Sequence, residues 1–375
     1  MRTAGSWALY WLVSLMSAVG VLLVPGGLVI ALLVSVPLGI AASVAGAATY
    51  MPLAMARRHF REICEYDEFG RSKKKSNYLS LSKKERDMID LQKQADMERV
   101  LSTTEMRRIT RKGSVSPEKD MNALIGLDEV KQRMREMNAR MEYDRKLHRK
   151  NDGEARHMVF FGSPGTGKTT VARIMAGFLY RNGYIRKNKV VEVDGNFLKC
   201  GDSTALKTTA VIRASFDGVL FIDEAYALMS DGYGRTAIAT LIKMMEDERG
   251  RFVLILAGYT NEMKQLLASN PGFSSRIRDY LMFPDYSDAE LREILISMAG
   301  HQGLMVSAGA YGAFDTRMRN ERRTGSFGNG RTVRNVLEEA IDRHAYNLST
   351  GAIDQSCSTA LQEEDFSTEV RHEGF

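Results

Sequence analysis

The chain has 375 residues, 44% hydrophobic and 26% charged, enough for two or more domains with appendages. Its three cysteines (Cys64, Cys200 and Cys357) form no C-x-x-C pair, which argues against a disulfide scaffold or zinc site and for a reducing compartment. The net charge of +6 is local: Arg2 is the one charge in 1–56, residues 57–120 hold 17 Lys/Arg against 12 Asp/Glu, and the 34 basic and 34 acidic residues of 121–375 cancel, so nucleic acid is an unlikely partner on charge grounds.

From Thr3 to Ala56 there is no Lys, Arg, Asp or Glu. One membrane span needs ~20 residues, so this run is long enough for two. Pro25-Gly26-Gly27 divides it, and 4–24 and 28–50 read as two transmembrane helices in a hairpin. Trp7, Tyr10 and Trp11 open the first and Tyr50 closes the second, as a shared interface requires. The apolar core of a cleaved signal peptide, ~7–15 residues, is far shorter. Arg57, Arg58, Arg61, Arg71 and Lys73-Lys74-Lys75 follow the second span. The positive-inside tendency then places a two-pass protein in the cell membrane, with its N-terminus and everything after the second span cytoplasmic and residues 1–56 in lipid.

Residues 57–120 read as a charged connector with a solvated helical stalk over 82–109. Gly113-Ser114-Val115-Ser116-Pro117 reads as the break before the next module. An α/β module is expected over 121–284. Ile125-Gly126-Leu127-Asp128 runs into an amphipathic helix.

The apolar strand from Met158 to Phe161 then enters Gly162-Ser163-Pro164-Gly165-Thr166-Gly167-Lys168-Thr169, which fits G-x-x-x-x-G-K-[ST], and a helix follows. Glycines let successive N–H groups curl around a phosphate, and the helix N-terminus adds its positive end. Lys168 reaches the β- and γ-phosphates and the Thr169 hydroxyl binds Mg²⁺. This is a nucleoside triphosphate site.

Val219-Leu220-Phe221-Ile222-Asp223-Glu224 supplies its second half. Asp223 at a strand end would hold Mg²⁺, mostly through water, and Glu224 would polarise the attacking water. After the strand 252–257, Thr260 or Asn261 either senses the γ-phosphate or only caps the helix 262–268. Arg276, after a Pro-Gly turn, suits a finger reaching a neighbouring subunit's γ-phosphate. Ser287-Asp288-Ala289-Glu290 is a capping box. A helical lid is expected over 285–350, with Arg334 on the first turn of its last helix. Residues 351–375 read as a polar, disordered tail.

Taken together, GSPGTGKTT (through Thr170), GVLFIDEAYAL, MMEDERGRFVLILAGYTNEM, NPGFSSRI with FPDYSDAEL, and NGRTVRN resemble the AAA+ ATPases. The closer resemblance is to the CbxX/CfqX group, with the stage V sporulation protein K-like proteins and the red-type Rubisco activase. It covers about 121–348. It implies a P-loop NTPase parallel sheet with a helical lid, ATP and Mg²⁺ as ligands, and a homo-oligomeric ring, often a hexamer. It also implies Arg276 acting in trans, Arg334 as the lid arginine, and a protein substrate pulled by pore loops. The aromatic usual in the pore loop is missing from 196–204 or displaced to Phe197. The expectation is therefore a membrane-anchored ATPase that remodels or disassembles a protein partner. The rival readings are a nucleotide-switched scaffold with little turnover and a DNA-handling ATPase.

Overall fold

The computed structural model describes residues 99–147, 156–325 and 327–370, together with the backbone of 22–24 and 27–29. The chain divides into two units, Met1–Lys93 and Gln94–Phe375. In the first, Leu22–Val24 pairs antiparallel with Gly27–Val29. The remainder of both expected membrane spans lies outside the described residues. The five span residues that are described, 22–24 and 28–29, are strand rather than helix. Val24 precedes a proline, which disfavours the helical region, and Leu and Val accept extended backbone. Among the described residues no helix is long and apolar enough to cross a membrane.

The second unit carries, in order, α1 (Thr103–Ile109), β1 (Thr110–Lys112), α2 (Pro117–Asn122), α3 (Asp128–Lys146), β2 (His157–Gly162), α4 (Lys168–Arg181), β3 (Lys189–Asp194), α5 (Thr204–Ala214), β4 (Val219–Asp223), α6 (Gly232–Asp247), β5 (Val253–Gly258), α7 (Thr260–Ser269), β6 (Ile277–Phe283), α8 (Asp288–His301), β7 (Met305–Val306), α9 (Ala310–Arg323), α10 (Gly330–Thr350) and β8 (Ala360–Leu361). The main sheet runs β1-β3-β4-β5-β2-β6 and is parallel except for β1. Strands β2 and β5 are buried along their whole length, as befits a parallel sheet covered on both faces. One core layer holds Met158, Phe160, Phe178 and Leu291, with α4 and the C-terminal helices; the other holds Val159, Leu220, Leu241 and Leu266, with α5, α6 and α7.

Two domain boundaries move. The connector does not end at residue 120, because Thr110 pairs with Val191 and Lys112 with Lys189, making β1 an edge strand of the sheet. Leu101 is buried in the second core layer, and the Ser102–Glu105 capping box starts α1. The expected break is clipped down: the Ser114 N–H donates to Arg173 O at 2.9 Å and Asn188 Nδ2 to Ser114 O at 2.8 Å. A Cβ on Gly177 would stand 2.5 Å from Ser114 O, so glycine lets the segment pass over α4.

The tail is also built in over its described part. Strand β8 pairs parallel with β7, and fully buried Asp365 lies 2.7 Å from His344 Nδ1 on α10 while accepting from Asn347 Nδ2 at 2.9 Å. Phe366 meets Phe314 edge-on. Acidic composition alone suggested disorder, but Asp365 is a satisfied buried acid that anchors the segment to the lid.

Candidate functional site

Strand β2 lies between β5 and β6, so its C-terminal end opens at the place where the chain connections diverge, the usual ligand crevice of such sheets. The glycine turn leaves from there. A Cβ on Gly165 (φ 71°) would stand 2.1 Å from Gly328 O, and one on Gly162 would stand 2.4 Å from Phe283 O. Gly167, in the left-handed region at φ 92°, precedes α4 and gives it no side-chain cap, which leaves the helix N-terminus free to meet an anion. Lys168 Nζ donates to the carbonyl oxygens of Gly162 (2.8 Å) and Ser163 (2.7 Å), and Thr166 Oγ1 donates to Ser163 O (2.8 Å). Burial pushes the Lys168 ammonium below its usual range, while Asp223 opposes that shift.

Register places Asp194 beside Asp223, at the ends of β3 and β4. Asp223 Oδ1 accepts the Glu224 N–H at 3.0 Å. Glu224 sits in the left-handed region (φ 46°), which costs a non-glycine residue about 1 kcal/mol. A Cβ on Gly195 would stand 2.8 Å from Glu224 O, so the neighbouring strand end makes room for this turn.

Gly162, Pro164, Gly165, Gly167, Lys168, Thr169, Thr170, Asp223, Glu224 and Arg334 all line one cavity of about 720 Å³. Ser163 and Thr166 instead shape the turn from behind. The volume lies within the ~300–1,000 Å³ of small-molecule sites. Among the described residues no group of three or more His, Cys, Asp or Glu is placed to hold a metal ion. One hydroxyl (Thr169) and one carboxylate (Asp223) suit Mg²⁺, which keeps waters and takes its other ligands from substrate phosphates.

Several lining residues escaped the sequence reading. Leu124, Ile125, Ile294 and Met298 form an apolar wall fit for a base, with Ser297 and His301 as polar points on it. At the end of β5 the cavity is lined by Gly258 and Tyr259, not by Thr260 or Asn261. Neither of those two caps a helix: α7 starts at Thr260 after Tyr259, without a side-chain cap. Tyr226 packs beside Tyr259, ring centroids 5.6 Å apart, and a Cβ on Gly258 would meet the Tyr226 ring at 2.8 Å. Burial, then Glu224, pushes the Tyr226 phenol up to about 12. Arg331, one turn before Arg334, also lines the cavity and its charge presses on Lys168. The start of α10 is held on the turn: Gly330 N–H donates to Gly165 O (3.2 Å), Asn329 Nδ2 to Asp285 Oδ1 (2.8 Å), and Tyr286 N–H to Asn329 Oδ1 (3.0 Å).

Two expected residues stand elsewhere. Arg276 does not line this cavity; its Nη2 donates to Glu246 Oε2 at 2.9 Å. Phe197 is half-buried against the second core layer, with Lys207 Nζ 4.2 Å from its ring centroid. It packs there, and the exposed tip of that loop is Cys200-Gly201-Asp202. Lys199 ties the loop to the start of α6 through Ser230 Oγ (2.6 Å) and Asp231 Oδ2 (3.1 Å).

Residues 158–284 match the ATPase family associated with various cellular activities (AAA), and 287–374 match the AAA lid domain. The chain is 42% identical to protein CbbX of Cereibacter sphaeroides over 254 residues, 64% of this chain and 82% of that one. It is 39% identical to stage V sporulation protein K of Bacillus subtilis (strain 168) over 248 residues, 62% and 76% of the two chains. The chloroplastic ribulose bisphosphate carboxylase/oxygenase activase of Cyanidioschyzon merolae is 42% identical over 234 residues, 60% and 80% of the two. The FIGL-1 AAA domain in complex with ADP shares the fold, with a TM-score of 0.52 at 16% identity over 72% of this chain and 88% of that one.

Proposed function

Because this chain belongs to the CbbX, CfxQ and stage V sporulation protein K-like family of AAA+ ATPases, we propose that it is a membrane-anchored ring that spends ATP on remodelling or disassembling a protein partner. The observation that carries the reading is one cavity in which Lys168, Thr169, Asp223, Glu224 and Arg334 converge while Arg276 stands outside it. Lys168 neutralises phosphate charge, Thr169 and Asp223 would hold Mg²⁺, and Glu224 takes up the proton of the attacking water. The metal ion supplies charge neutralisation across the phosphate oxygens. Arg276 has no phosphate to meet in its own subunit, so it serves the next subunit's cavity. That requires repeated head-to-tail contacts, which form a ring where the rotation between subunits closes.

The anchor rests on the charge-free run 3–56 and the basic residues after it, which also set the ATPase cytoplasmic. The partner is left at the level of a protein. The relative named for activating ribulose bisphosphate carboxylase/oxygenase suggests an assembled enzyme as one class, but a membrane segment argues for a different client. The exposed loop tip without an aromatic keeps a nucleotide-switched scaffold as the second reading.

Turnover against concentration tests both. A fragment for this purpose has to keep residues 94–112, since β1 and Leu101 belong to the core. Fragment 94–375 and the full chain in liposomes should each show specific activity rising with concentration, and Arg276→Ala should abolish it. Negligible turnover in both preparations would favour the scaffold. Flotation of the full chain with liposomes, lost on deleting 1–56, is the result expected of an anchor; equal flotation of the deleted chain removes it.

A further inference from the structure

Arg276 is held more firmly than a free surface arginine. It follows the helical turn Pro271–Ser274 and stands one residue before β6. Its Nη1 donates to Gly272 O at 3.0 Å and to Ser275 Oγ at 3.2 Å, and its Nη2 donates to Glu246 Oε2 at 2.9 Å. Three contacts fix the plane of the guanidinium, and its side chain is 27% exposed. Glu246 lies on the last turn of α6, so the helix after the Asp223-Glu224 strand reaches across to the turn before β6 that carries the arginine.

Glu246 is itself shared. Arg249 Nη2 lies 2.7 Å from its Oε1, and Arg249 is 62% exposed in the turn that leads to β5. A single carboxylate on Arg276 would cancel the charge that an approaching phosphate needs. Arg249 Nη2 also donates to Oε2 at 2.8 Å, the oxygen that Arg276 uses, so the three side chains carry a net positive charge and the carboxylate orients the guanidinium without neutralising the site.

We propose that Glu246 is a positioning residue for Arg276, holding its guanidinium in the orientation that meets the terminal phosphate in the cavity of a second copy of this chain. The proposal rests on the reading that Arg276 acts in trans. A guanidinium already held in place avoids a conformational search at the moment of reaction, and misplacing a charged group by about 1 Å lowers rates up to about a hundredfold. Arg249 acts only through Glu246 and sets the charge of the group.

The test uses the full chain in liposomes. Glu246→Ala should lower kcat about tenfold to a hundredfold while its affinity for fluorescent ADP stays within about twofold of wild type, because Glu246 does not line its own cavity. Glu246→Gln, which keeps an oxygen acceptor, should recover part of the loss. The deciding experiment mixes subunits. Glu224→Gln subunits cannot hydrolyse but present an intact Arg276 and Glu246. In an equimolar mix with Glu246→Ala, about a quarter of the head-to-tail interfaces join an intact cavity to an intact arginine, so turnover should reappear.

Wild-type turnover by Glu246→Ala alone would overturn the proposal. So would a silent mix when Arg276→Ala with Glu224→Gln does recover, since Glu246 would then serve its own subunit's structure. If the Arg276→Ala mix is silent as well, the trans reading beneath the proposal fails with it.

Discussion

The Nζ of Lys168 lies 2.8 Å from the carbonyl oxygen of Gly162, the last residue of the strand that launches the phosphate turn. Together with the Ser163 contact, it makes the lysine a brace for the turn it belongs to. A bound phosphate offers a charged acceptor in place of two neutral carbonyls, and the exchange favours the phosphate because charge-assisted bonds are the stronger kind. Lys168→Ala should weaken ATP binding about tenfold to a hundredfold, the range for losing a hydrogen bond to a charged group. Fluorescent-nucleotide titration reads this directly, and unchanged affinity would remove Lys168 from the phosphate contacts.

Glu224→Gln separates binding from chemistry. The amide keeps the shape but cannot accept the proton of the attacking water, so turnover should drop about a hundredfold to ten-thousandfold while ATP affinity holds. The left-handed backbone at Glu224 makes the position unlike an ordinary strand end, since the strain persists only where its surroundings impose it. Retained turnover in the variant would give the water-activating role to another residue.

What could be read in the sequence divides by how local the signal was. Gly162 to Thr169, Asp223-Glu224 and the Ser287–Glu290 capping box carry their chemistry within a few residues, and the structure brings the first two groups together. Thr260 and Asn261 are drawn into α7, which starts two residues before the expected 262 while β5 runs one residue beyond 257, so Gly258 and Tyr259 take the lining position, and nothing in the local pattern fixes those ends. Residues 110–112 and 360–366 were hidden for a different reason. Short polar segments become sheet edge or buried anchor only through distant partners, Val191 in one case and His344 in the other. The packing of Phe197 was hidden because the amine of Lys207 over its ring lies on the next helix.

The lid offers a comparison of two arginines on one helix. Arg334 lines the cavity as expected, and Arg331 lines it too, with its charge pressing on Lys168 and with Gly330 before it hydrogen-bonded to Gly165. Arg331→Ala should therefore weaken ATP binding more than Arg334→Ala, by about tenfold if one charge-assisted bond is lost. It should weaken ADP binding less, because the contact favours the triphosphate end. The reverse ranking in a titration of both nucleotides would make Arg334 the stronger phosphate contact of the two.

His157 gives the fold a pH dependence that can be signed in advance. It opens β2, is buried, and its Nδ1 accepts the Leu254 N–H at 2.9 Å, so the ring is neutral there. Burial first, and then the nearby charge of Arg276, lowers its pKa from 6.5 to about 4. Between those values the unfolded chain takes up a proton that the folded chain refuses. The contribution of His157 is thus fully present above pH 6.5 and is lost as pH falls towards 4, amounting to roughly 3 kcal/mol at about 1.4 kcal/mol per unit. His157→Gln keeps an acceptor for Leu254 but cannot titrate. Urea midpoints of fragment 94–375 at about pH 7 and about pH 5 should fall less for the variant than for wild type. Parallel losses in the two proteins would show that other groups govern the acid side.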